Sequence, residues 1–188
     1  MSKKITDRFD RYIRLVFSKV LPDCTLKPEG VTYLHGHLVT ILKRACKESF
    51  DYMHTSKPPR VTLMKTDVLL GIQQILPHSL RSFAEEFIRT VLERYEDPSV
   101  KIRSKTKKAG LHVAIGRVAV YVRRFVANHQ IRHEAFVILA AFLEYLLVEV
   151  FQGVKTYLET TLEGTRAVTA DIVEVVWKED RDFSKLVE

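Results

Sequence analysis

Cysteine, glycine and proline are all scarce in this chain, and no apolar run is long. Only two cysteines, Cys24 and Cys46, occur among 188 residues. They stand far apart without CxxC spacing, which excludes a zinc ribbon or a disulfide framework. Two free thiols fit a reducing compartment. The seven glycines build no phosphate-cradling loop and no GxSxG elbow, so common nucleotide-binding and hydrolase signatures are absent. The most apolar stretch, 136–151, is interrupted by Glu144 and Glu149. It is shorter than the roughly 20 residues of a membrane-spanning helix, and no membrane partner is expected. The opening MSKKITDRFD lacks the apolar core of a secretory signal. Of the seven histidines, His35 and His37 are two apart on an expected helix and cannot chelate from one face. His129 and His133 have ligand spacing but no HExxH context. No metal, cofactor or enzymatic activity is expected.

What the chain does have is positive charge and helical periodicity. Thirty Lys and Arg stand against 23 Asp and Glu, a formal charge of +7, which favours a polyanionic partner. Hydrophobic residues make up 46%, enough for a core. No stretch alternates with period two, so an all-α fold is expected. The pattern predicts helices over 7–20, 29–54, 65–76 and 79–95. In the second of these, Val31, Leu34, Leu38, Ile41, Leu42, Ala45, Tyr52 and Met53 keep mostly to three- and four-residue steps. In the last, Phe83, Phe87, Val91 and Tyr95 are expected along one face. Residues 96–108 read as a basic linker, carrying Lys101, Arg103, Lys105, Lys107 and Lys108. Thirteen extended residues reach at most about 45 Å. The second part repeats the plan, with helices over 114–127, 134–159 and 169–177 and a short closing segment over 180–187. The order is thus short helix, loop, long helix, loop, short helix, twice over, with an extra helix ending the first copy. Repetition of this kind signals units that cannot bury their apolar faces alone. Each second loop carries an Arg ahead of a Thr, Arg60 with Thr62 and Arg166 with Thr169, positioned to cap the next helix or tie down the loop.

The plan resembles two tandem histone folds. Lys108-Ala109-Gly110-Leu111 followed by Ile115-Gly116-Arg117-Val118, then 139–146 (LAAFLEYL) with Glu149, and Thr165-Arg166, resemble a 2A-type core histone. Pro22-Asp23, Arg60, Thr62, Ile75-Leu76-Pro77, Leu80 and the helix ending at Tyr95 resemble a 2B-type core histone less tightly. The order resembles the fused histone doublets of large DNA viruses. The resemblance implies a 2B-like fold over 1–95, a basic linker over 96–108 and a 2A-like fold over 109–188. It also implies that the halves pair head to tail within the chain, in a handshake.

The implied function is structural. The doublet would replace a 2A–2B dimer in a nucleosome-like particle and bend and compact double-stranded DNA without reading its sequence. Core histones are the known example of that mode, with arginines in the inward-facing minor groove. The implied DNA-binding residues are Arg60, Thr62, Lys105, Lys108, Arg117, Arg123 and Arg166. Implied partners are 3-type and 4-type histones, separate or fused, and a second copy of the chain. The implied location is a chromatin-like or nucleoid particle, in a host nucleus, or in a cytoplasmic viral factory and virion for a viral chain.

The departures from the family point to a pared-down variant. Lys3 and Lys4 are nearly all that stands for a basic tail, and the C-terminal docking extension is missing, so looser particles are expected. Glu144, Glu149, Asp180 and Asp182 remain of the family's acidic patch, whereas Phe87, Gln152 and Arg181 replace acids. Partners that anchor an arginine there should bind poorly. Gln130 stands in place of the first-loop Arg, with Arg132 nearby, and no role carries over to it. The alternative is a histone-fold transcription-factor or scaffold module that does not wrap DNA.

Overall fold

The computed structural model of the chain describes residues 8–58, 60–126, 129–162 and 164–187, and these are mostly helical. In the first half, α1 (Asp10–Val20), the long α2 (Pro28–Thr55), α3 (Lys65–Ile75) and α4 (His78–Glu96) follow one another. Two-residue strands β1 (Thr25–Leu26) and β2 (Thr62–Leu63) sit in the loops on either side of α2. The second half runs α5 (Lys105–Ala109), α6 (Ile115–Phe125), β3 (Gln130–Ile131), the long α7 (His133–Thr161), β4 (Ala167–Val168), α8 (Ala170–Glu179) and α9 (Arg181–Lys185).

Local chemistry sets the boundaries. Pro28 occupies the first turn of α2, where its missing N–H costs nothing and its fixed φ suits the helix. Pro77 restricts the residue before it, so α3 stops and Leu76 turns extended at ψ 129°. The expected loop over 96–108 instead contains α5. The Ser104 side chain accepts from the Lys107 amide at 3.4 Å to start it, and Gly110 ends it in the left-handed region at φ 77°. A run of lysines has no apolar period to betray such a helix. The apolar face of α4 also differs from expectation. Ala84, Ile88 and Val91 are buried, whereas Phe83 is 67% exposed.

The long helices organise the packing by exchange. Helix α7 is buried all round from Ala135 to Leu147, as an apolar helix must be. It packs against α6 and α8 of its own half and against α1, α3 and α4 of the other. Helix α2 packs against α1 and α3 of its own half and α6 and α8 of the other. It comes close to α3 at Gly71. A Cβ on Gly71 would lie 2.6 Å from the Ser49 amide nitrogen and 2.8 Å from its Cα. The two halves share one continuous core, from Phe9 to Leu186.

The strands join the halves in parallel. β1 pairs with β4, Thr25 opposite Ala167 and Leu26 opposite Val168. β2 pairs with β3, Thr62 opposite Gln130 and Leu63 opposite Ile131. Each time, a loop before one long helix meets the loop after the other, so the halves meet at two edges.

Candidate nucleic-acid interface

At the first edge the Thr25 amide donates to the Arg166 carbonyl at 2.7 Å and the Lys27 amide to Val168 at 2.9 Å. Arg14 on α1 braces this edge, its Nη1 donating to the Leu26 carbonyl at 2.8 Å. The backbone of Arg166 is therefore fixed by the ladder while its side chain stands exposed. The N-termini of α2 and α8 open here, and neither has a side-chain cap. Unsatisfied N–H groups and the helix dipole make such ends attractive to phosphate. Thr169 precedes α8 but makes no capping bond.

The second edge joins the N-termini of α3 and α7. The Arg132 amide donates to the Leu63 carbonyl at 3.0 Å. Thr62 ties the loops together rather than capping a helix, its hydroxyl donating to Gln130 Oε1 at 3.2 Å. Arg60 is engaged: it pairs with Asp67 and donates to the Ser56 hydroxyl at 3.1 Å. Asp67, only 2% exposed at its side chain, also caps α3 by accepting from the Met64 amide at 2.9 Å. The sequence expectation for Arg60 is a DNA contact, and the pairing with Asp67 is not part of it. An acid at the third position of the helix that follows was the signal for a held arginine.

More cations gather around the start of α7. Lys108 lies over the Tyr95 ring at 5.7 Å, and Tyr95 meets His133 at 5.8 Å. Arg123 lies over Phe136 at 5.4 Å. Burial, followed by Lys105 and Arg123, holds the His133 pKa below its ordinary value, against an opposing effect from Glu134. The folded chain thus brings Lys105, Lys108 and Arg123 to the start of α7, the helix that follows β3, while Lys65 at the start of α3 pairs with Glu96 at 3.3 Å. Arg166 stands at the first edge.

A third region lies where Phe9, just ahead of α1, meets α6. Phe9 stacks on Tyr121 at 5.0 Å. Half-buried Arg117 is one helical turn before Tyr121, on the same face. Arg124, which the sequence did not single out, lies 6.0 Å over the Tyr121 ring.

No protein-family model and no curated protein matches this chain.

The four acids expected as a surface-patch remnant are mostly occupied. Glu144 is buried, 5% exposed. It accepts from the amides of His112 at 2.6 Å and Val113 at 2.8 Å, and lies 2.9 Å from His112 Nδ1. It anchors the entry to α6 and presents no open carboxylate, which corrects its reading as part of a patch. Asp180 caps α9, accepting from the amides of Asp182 at 2.8 Å and Phe183 at 3.2 Å. Asp182 accepts from the Ser79 hydroxyl. Glu149 is half-buried, and burial, then Asp180, raises its pKa. The histidines weighed as ligands are spent on packing. His35 Nδ1 accepts from the Phe9 amide at 3.3 Å, and His37 stacks on Trp177 at 4.5 Å.

Proposed function

We propose that the chain is a DNA-packaging histone doublet. Two tandem histone folds, 2B-like then 2A-like, pair within the chain in a handshake and replace a 2A–2B dimer in a nucleosome-like particle. The observation that carries this reading is the double parallel pairing, β1 with β4 and β2 with β3. Each pair is flanked by helix N-termini and second-loop arginines. Two such edges, with Arg117 and Arg124 on α6 near the stack of Phe9 on Tyr121, give several basic places for one backbone to touch. Binding through phosphates is independent of sequence and depends strongly on salt. Partners under this reading are 3-type and 4-type histones and a second doublet, within a chromatin-like or virion particle.

The second reading, a histone-fold scaffold that does not wrap DNA, draws on the engagement of Arg60 by Asp67. An arginine held by a buried carboxylate is less free to enter a minor groove. Assembly with duplex DNA and 3-type and 4-type histones, followed by nuclease digestion, separates the two. The doublet should yield a protected fragment, and Arg60→Ala with Arg166→Ala should shorten it. Arg60→Ala also strips the buried Asp67 carboxylate of its cation and should lower the thermal midpoint, whereas Arg166→Ala alone, at an exposed side chain, should shorten the fragment with the midpoint unchanged. No protected fragment, or one unchanged in the double variant, defeats the packaging reading.

A further inference from the structure

A groove lies where α2 passes the end of α6, enclosing about 500 Å³. Phe50, Phe125 and Val126 line it, and Phe50 belongs to the shared core, so the apolar floor continues into the interior. Lys43 and Lys47 stand exposed on its rim, one turn apart on α2, with His54 further along. Lys43 has no ion-pair partner among the described residues, and Lys47 reaches Glu48 only at 3.9 Å. Asp51 is the acid in the lining. Arg44 is already committed, donating to the Lys185 carbonyl at 2.7 Å. The floor comes from both halves, so the groove exists only when they are paired.

We propose that this groove docks an acidic segment of a partner protein through one aromatic anchor. The volume lies within the roughly 300–1,000 Å³ of ligand-binding clefts. An aromatic side chain would rest on Phe50 and Phe125, where a desolvated contact yields the most binding energy. Carboxylates flanking it would meet Lys43 and Lys47, which supply attraction and orientation. A nucleic-acid backbone would make no use of the apolar floor. A basic segment would be repelled by a chain of net charge +7. The inference stands independently of the packaging reading.

The test is a fluorescence-anisotropy titration of the full chain with a labelled peptide of aspartates and glutamates around a single phenylalanine. Binding should saturate, and Lys43→Glu with Lys47→Glu should weaken it about tenfold or more, as should replacing the peptide's phenylalanine with serine. Asp51→Lys should tighten it. Lys101→Glu with Lys107→Glu makes the same change of net charge in the linker and should have a far smaller effect. The altered side chains are exposed, and circular dichroism confirms that each variant folds. Failure of the peptide to bind, equal loss from the linker variant, or indifference to the phenylalanine would each overturn the proposal.

Discussion

At the scale of single residues, close approach decides which positions tolerate change. Gly71 and Gly36 both lie within helices, yet their surroundings differ. A Cβ at Gly71 would collide with the Ser49 backbone on α2, whereas one at Gly36 would meet nothing within 4 Å. Alanine is intrinsically better than glycine in a helix by about 1 kcal/mol. At Gly36 that gain is available in full, so Gly36→Ala should raise stability by about 0.5–1 kcal/mol. At Gly71 the clash is with backbone atoms, which cannot rotate away. Overpacking of this kind costs roughly 1–3 kcal/mol, and Gly71→Ala should lower stability despite its better propensity. Urea unfolding of the two variants measures both. A stabilised Gly71→Ala would mean that α2 and α3 can separate freely, contrary to their packing. Asp67 makes a related point at the candidate interface. One carboxylate serves both as the cap of α3 and as the partner of Arg60, so the reach of Arg60 depends on a residue that never faces a ligand.

At the scale of elements, three histidines sit where α2 and α7 meet helices packed across them. His37 on α2 lies between Tyr33 at 4.3 Å and Trp177 of α8 at 4.5 Å, and its Nε2 is buried without a hydrogen bond. Burial lowers its pKa, with Glu174 opposing. His35, on α2 facing Tyr121 of α6, is lowered by burial and then Arg8, with Asp10 opposing. His133, at the start of α7 facing Tyr95 of α4, is lowered as described above. A histidine whose folded pKa lies below its unfolded value of about 6.5 binds fewer protons folded than unfolded. Its contribution is therefore complete above that unfolded value and is lost as pH falls toward the folded one. Stability should decline as pH drops from 7.5 to 5.5, with Trp177, the sole tryptophan, reporting the α2–α8 contact by fluorescence. Glu149, whose raised pKa favours its protonated form in the folded chain, acts in the opposite sense just above the ordinary carboxylate range. Comparing His37→Phe with the parent isolates the His37 share. An identical pH slope in both would refute the assignment. The elements themselves were unequally readable from sequence. Helix α7 announced itself because its apolar run has a helical length and no breakers. Helix α5 did not, because it depends on Ser104, Gly110 and the Arg94 Nε donating to the Lys108 carbonyl at 3.2 Å. The four strands were invisible because two-residue pairs 68 to 142 positions apart carry no local period. The basic side chains of the candidate interface were readable as residue types. Their grouping at two edges was not, since it arises from those long-range pairings.

At the scale of the whole molecule, the consequence of one shared core is that neither half can keep its own apolar surface covered. Helix α7 is buried on every side only because α1, α3 and α4 of the other half lie against it. The segment between α4 and α5 therefore acts as a tether. It replaces a bimolecular encounter with an intramolecular one at an effective concentration of about 1 mM. This predicts how the protein responds to being cut. The exposed stretch from Lys101 to Arg103 accepts a protease site without removing Ser104, which starts α5, and so spares the contact between Lys108 and Arg94. The intact chain should unfold at a midpoint independent of protein concentration. The cut chain, at about 1 µM, should lose about 4 kcal/mol relative to the intact one, and a further 1.4 kcal/mol or so with each tenfold dilution. Thermal melts across a hundredfold dilution series of both forms measure the difference. A cut chain whose midpoint ignores dilution would show that each half folds alone, and the shared core would then be a contact between two finished domains rather than the source of their stability.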